Sequence, residues 1–299
     1  MLQAYAQNAA KPSQLFLVIF VVKQKILMHN KHTRLRSGLI SFALIVAYLS
    51  LSSFTTATDT TKTTSTFKFK TIVIDAGHGG KDPGAHGVSA NEKTVALAIA
   101  KKLRDALKAQ MPGVNIVMTR SDDTFIELNR RSDIGNKANG NLFISIHCNS
   151  SPEKPGRRKG VMMLVYGYHR VSEQMEAIRE NASIYQEKNY EEKYKKYDTS
   201  DPINRIVLNA YLQKYRKYSI LFGDLLNKEF KGDGRQSIGV KEQGVLVLAH
   251  SAMPAVLVET GFINNPEEEK YLASGDGQDE IVRGIVRAVK SYKTSTTSQ

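Results

Sequence analysis

The chain holds a single cysteine, Cys148, so no disulfide can close within it and a Cys-rich zinc module is excluded. Residues 1–57 contain neither Asp nor Glu. No apolar run reaches the roughly 20 residues needed to span a bilayer. Internal repeats are absent, and Gly80-Lys81 is followed by Asp82 rather than Ser or Thr, which excludes a phosphate-binding P-loop.

The acid-free start does carry six bases, Lys11, Lys23, Lys25, Lys31, Arg34 and Arg36. The last three precede the apolar run Gly38–Leu51, and small residues follow to Ala57. That order is the basic, apolar and small-residue sequence of a secretory signal, favoured over a short membrane anchor because the run is too short to span. Met28 opens this segment, so residues 1–27 read as an over-extended start. Removing residues 1–57 takes six cations from the formal +13 and leaves +7. A surface this basic attracts an anionic partner. An exported protein meets little nucleic acid, which makes an acidic wall polymer the better candidate and the periplasm the expected location.

Thr55–Thr66 is rich in Thr and Ser, placing a linker over 58–69, one folded domain over 70–293 and a short tail over 294–299. At 24% charged and 41% apolar residues, the composition is that of an ordinary globular chain. Unbroken apolar runs at 71–77, 142–147 and 255–261 suggest strands buried on both faces. Further strands are expected at 115–119, 160–166 and 245–249, with helices at 91–110, 127–138 and 279–292. This alternation predicts an α/β fold with a mostly parallel or mixed sheet and helices on both faces. Between 167 and 232 the pattern breaks into a helical insertion, in which Asp201-Pro202 opens a long helix to Phe230.

Ligands gather at the carboxyl ends of such strands. His78 follows the first run within Asp75-Ala-Gly-His-Gly-Gly, His147 ends the second and Glu259 ends the last. Glu92 lies at a helix start, where Ser89-x-x-Glu92 also reads as a capping box. A histidine at a strand end is commonly a satisfied core residue, but two at equivalent ends suggest ligands. Two His and one Glu match a catalytic zinc site with an open position for water. Glu259 would then be the general base. Asn149, two residues past His147, shares its face.

These segments together resemble the zinc-dependent N-acetylmuramoyl-L-alanine amidases of the AmiC type, the amidase-3 family, over about 71–292. The Gly-His-Gly-Gly turn assigns His78 as the first zinc ligand, Glu92-Lys93 supplies the second, and Ser145-Ile-His147-Cys-Asn149 the third. Val258-Glu259-Thr-Gly-Phe matches the strand with the catalytic glutamate, and Leu128-x-x-Arg131 a supporting helix. The resemblance implies one zinc ion per chain and hydrolysis of the amide between N-acetylmuramic acid and L-alanine in peptidoglycan, by a monomer, during wall remodelling and daughter-cell separation. It also implies that the insertion, with a lid helix over Val171–Ile184, could cover the site until a protein activator moves it, Glu176 or Glu180 approaching the metal. A wall for the substrate groove is the alternative role for that segment. Competing functions are a zinc carboxypeptidase of wall peptides and a non-catalytic wall-binding activator.

Overall fold

The computed structural model describes residues 69–167 and 174–297. The expected signal, the linker to residue 68 and the start of the lid at Val171 lie outside these residues. Among the described residues, no helix is long and apolar enough to cross a membrane.

Six strands form one sheet in the order β2-β1-β3-β6-β4-β5. They are β1 (Thr71–Ala76), β2 (Asn115–Met118), β3 (Leu142–Asn149), β4 (Val161–Tyr166), β5 (Ser237–Gln243) and β6 (Ala255–Phe262). Strand β1 runs parallel to β2 and β3, and β3 to β6, while β4 pairs antiparallel to β6 and parallel to β5. The expected mixed α/β sheet is therefore present. Strands β1, β3 and β6 are buried along their whole length, which explains their unbroken apolar sequences.

Helices cover both faces. On one side lie α1 (Glu92–Gln110), the carboxyl half of the long insertion helix and the last helix; on the other lie α2 (Leu128–Lys137) and the rest of the insertion. Helix α1 buries Val95, Ala96, Ile99, Ala100, Leu103 and Leu107, one face at helical spacing. Each such large aliphatic side chain contributes about 1.5–3 kcal/mol on burial.

The insertion contains α3 (Met175–Asn181), a 3-10 turn over Ala182–Gln186, α4 (Tyr190–Lys193) and α5 (Pro202–Gly232). Asp201 caps α5 by accepting from the Ile203 and Asn204 amides, with Pro202 at the first position. Phe222, Leu226 and Phe230 of α5 are buried, whereas Ile203 and Ile206 near its start are exposed.

Three sequence expectations are corrected. Val245–Ala249 is not a strand: Leu246–Ala249 is a helical turn, α6, and the missed strand is β5 just before it. A five-residue apolar run has too little periodicity to separate the two states. Nor is there a tail from 294 to 297. After α7 (Pro266–Ala273), capped by Asn265, helix α8 (Gly275–Thr297) carries through it. The described part of the lid is one short α-helix and a 3-10 turn, not one helix to Ile184.

Alternation along the strands decides which residues meet. Ile72, Ile74, Ile144, Ile146 and Val258 face the α1 side, whereas Val73, Phe143 and Leu257 face the insertion. Asp75, Ser145, His147 and Glu259 continue the second set by period-two alternation toward the carboxyl ends of β1, β3 and β6. In register, Asp75 pairs with Ser145 and His147 with Glu259.

Candidate metal centre

Four side chains converge beneath the insertion: His78, Glu92, His147 and Glu180, all buried, each with a possible ligand atom within 4.8 Å of the others. His78 Nε2 lies 3.0 Å from Glu92 Oε1 and 3.5 Å from Glu180 Oε2. His147 Nδ1 lies 3.0 Å from the same Glu92 oxygen and 2.7 Å from the same Glu180 oxygen. The sequence-assigned trio is thus together, and Glu180 of the two insertion candidates joins it. Glu176 does not: its carboxylate accepts a 2.5 Å hydrogen bond from Gln243. Four residues before Glu180 on α3, it sits one turn closer to β5.

Each ligand is placed by a distinct device. His78 has a left-handed backbone, φ 57°, a conformation that costs a non-glycine residue about 1–3 kcal/mol. Arg131 offsets this by donating to the carbonyls of Ala76 (2.7 Å) and His78 (2.7 Å) while pairing with buried Asp75 at 2.9 Å. Thr119 and Ser145 also donate to Asp75. The reading of Arg131 as support agrees with these contacts. His78 Nδ1 faces Asp82 Oδ2 at 2.8 Å, and Ser183 of the insertion donates to that oxygen. A proton on Nδ1 held by Asp82 leaves the Nε2 lone pair directed at the cluster.

Glu92 is no cap. Asn91 occupies the N-cap position of α1 without a side-chain hydrogen bond, and Ser89 donates instead to Glu269. The Glu92 carboxylate turns inward, accepting from the Ala85 and Cys148 amides. His147 packs against Gly77, where a Cβ would stand 2.5 Å from its Nε2 and 2.7 Å from its Nδ1. Only glycine permits that approach. Cys148 points to the opposite core and its thiol is pushed well up by burial, so it is no nucleophile.

Glu259 is fully buried on β6 beside His147. Arg179 of α3 donates to its Oε1 at 2.7 Å and to Asn149 Oδ1 at 2.6 Å, and also pairs with Glu180. Glu259 Oε2 has no hydrogen-bond partner among the described residues. Burial, then the Glu180 and Glu92 charges, outweigh Arg179 and push Glu259 up to about 8.

Burial alone would lower the two histidines, but Glu92 and Glu180 raise both, His147 to about 9 and His78 well above its usual range. Burial would raise Glu92, yet His78 and His147 bring it down to about 2. The cluster therefore favours positive charge at its centre. Among the described residues His78 Nε2 and Glu180 Oε2 make no hydrogen bond of good geometry although each lies close to cluster neighbours, as donor atoms gathered around an ion would. Imidazole and carboxylate donors around one point fit a divalent cation.

The model of the N-acetylmuramoyl-L-alanine amidase family, Amidase_3, matches residues 72–291. The chain belongs to this family. It is 34% identical over 227 residues to N-acetylmuramoyl-L-alanine amidase AmiA of Escherichia coli K12, which aligns over 75% of this chain and 76% of that one. Against AmiC of Escherichia coli O6:H1 the identity is 31%, covering 74% of this chain and 52% of the relative, so the chain spans about half that protein's length. Among solved amidase structures, one from Clostridium difficile 630 matches with a TM-score of 0.56 at 26% identity, covering 76% of this chain and 97% of that one. The catalytic domain of CwlV from Paenibacillus polymyxa matches with a TM-score of 0.50 at 31% identity, over 75% and 97%. The amidase match takes in every residue of the cluster and Glu259.

Sequence reasoning missed Asp75, Asp82, Arg179 and Ser183. Asp82 alone carried a local signal, standing four residues after His78 within the glycine-rich turn.

Proposed function

We propose that the protein hydrolyses the amide joining the lactyl group of N-acetylmuramic acid to L-alanine of the peptidoglycan stem peptide. The observation that carries this reading is the convergence of His78, Glu92 and His147 beside the buried carboxylate of Glu259 in a member of the amidase family. His78 through Nε2, His147 through Nδ1 and Glu92 would hold one zinc ion. When bound, zinc would supply Lewis-acid polarisation of the scissile carbonyl and acidify water.

The remaining work belongs to the chain. Glu259 takes a proton from the attacking water at Oε2 and delivers it to the departing L-alanine nitrogen. Water adds to the carbonyl carbon and the C–N bond breaks, leaving a lactyl carboxylate and a free amine. Asp82 fixes the His78 tautomer, and Asn149 stands beside Glu259 as a candidate substrate contact once Arg179 leaves.

The insertion in this reading holds the enzyme closed. Glu180 occupies the centre and Arg179 occupies the base, so water and substrate have no place there. Opening falls to a protein activator; Met175, Ile178, Ile203, Ile206 and Val207 expose apolar surface on the insertion for such a partner. The signal-like segment accords with export to the periplasm, where peptidoglycan is remodelled as daughter cells separate.

Mass analysis of sacculi digested by the zinc-loaded Glu180→Ala chain, in which the centre is cleared, tests the reaction. Stem peptides with a free L-alanine amine are expected. Release of terminal D-alanine with the lactyl amide intact would assign a carboxypeptidase instead.

A further inference from the structure

Arg120, just past β2, is 4% exposed and directs its guanidinium inward rather than to solvent. Its Nε donates to the Ala76 carbonyl at 2.9 Å, and Nη2 donates to the carbonyls of Gly77 at 2.6 Å and Lys93 at 2.9 Å. Nη1 donates to the Asp122 carbonyl at 2.8 Å, closing its own loop. Gly77 directly precedes His78, and Lys93 directly follows Glu92. One rigid fork therefore grips the backbone next to two ligands that come from different elements, the β1 turn and the start of α1.

Arg131 does not duplicate this. It binds carbonyls of the β1 turn and Ile126, with no contact to α1. Among the described residues Arg120 has no ion pair: the buried Asp75 is paired with Arg131, the hydrogen bonds of Arg120 go to carbonyls, and Asp75, Asp122 and Asp123 act on it only through space. An unpaired buried cation close to a cation site opposes ion binding by Coulomb's law. Its presence there calls for a compensating geometric gain, and the planar guanidinium supplies it by fixing several acceptors at once. A Cβ on Gly79 would also lie 2.9 Å from Arg120 Nε, so the turn is moulded around the guanidinium.

We propose that Arg120 is a positioning residue of the metal centre, setting the separation of His78 and Glu92 without touching the ion. This rests on reading the cluster as a metal site. Outer-shell partners of ligands typically contribute 10–100-fold in affinity. Lysine keeps the charge but cannot reach three carbonyls in one plane, and glutamine loses both charge and fork.

The test measures zinc affinity of the full chain by chelator competition, with the visible absorption of the cobalt-substituted protein as a second readout. Wild type is compared with Arg120→Lys, Arg120→Gln and the remote Arg287→Gln, which breaks an ion pair between α5 and α8. Both Arg120 variants are expected to bind zinc about tenfold or more weakly, with an altered cobalt spectrum, Lys less affected than Gln. Arg287→Gln should lower the melting temperature and leave affinity and spectrum unchanged. Should Arg120→Gln fail to fold, Arg120→Lys decides alone. Wild-type affinity and spectrum in a folded Arg120→Lys would overturn the proposal while leaving the metal reading intact. A wild-type chain that takes up no zinc would overturn both.

Discussion

Glu259 combines full burial, one oxygen held by Arg179 and one without a partner among the described residues, and a proton affinity raised by that burial and then by its acidic neighbours. Glu259→Gln preserves that shape but accepts no proton. The variant is expected to bind zinc like wild type and to lose at least 10²-fold in turnover of wall fragments, measured by amine release. Asp82 acts one step further out, and Asp82→Ala should weaken zinc binding 10–100-fold by freeing the His78 ring; chelator competition reads this directly. At this scale the sequence was partly legible. His78, Glu92, His147 and Glu259 each end an apolar run or open a helix, and these are places that a single sequence exposes. Arg120, Arg179 and Ser183 act across 27 to 101 residues of chain, through contacts that no local pattern encodes. Asp75 reads in the sequence only as part of a turn, because a carboxylate inside a strand announces neither Arg131 nor Ser145 as its partner.

Among the elements, the insertion is joined to the sheet domain at both chemical and packing contacts. Arg179 and Glu180 enter the site; Glu187 accepts from the Leu128 amide at the start of α2; Tyr197 stacks on His250 with ring centroids 4.3 Å apart. If α3 is the inhibitory element, Glu180→Ala and Arg179→Ala should each raise the basal rate on purified wall material, by about tenfold or more. An unchanged rate in both variants would make the segment a groove wall. The His250 contact adds a pH dependence. Burial, and then the Lys196 charge, hold the His250 imidazole down to about 4, against about 6.5 when unfolded. The unfolded chain thus binds more protons between those values, so this contribution is whole above pH 6.5 and is lost as pH falls toward 4. It is of order 2 kcal/mol after discounting for partial exposure. His250→Phe, which keeps a ring for Tyr197, should flatten the fall in denaturant stability from pH 6.5 to 4. Strands β1, β3 and β6 could be read because burial on both faces makes their sequences uniformly apolar. The weakly buried β5 carries no strand signal because it sits at the sheet edge with mixed chemistry, while the apolar turn α6 reads as a strand because it fills a core.

For the whole domain, sheet order brings the chemistry to one place. Strands β1, β3 and β6 are neighbours and parallel, so their carboxyl ends deliver His78, His147 and Glu259 to one edge, and α1 returns Glu92 to the same point. The basic charge of the chain is a long-range counterpart: binding to isolated walls should weaken steadily as ionic strength rises. The central claim is that His78, Glu92 and His147 hold a divalent ion. Anomalous X-ray scattering at the zinc absorption edge, on crystals of the zinc-loaded chain, tests it most directly. The account predicts one strong peak bounded by His78 Nε2, Glu92 and His147 Nδ1. A map without a peak there, or with zinc only on surface residues, would contradict it.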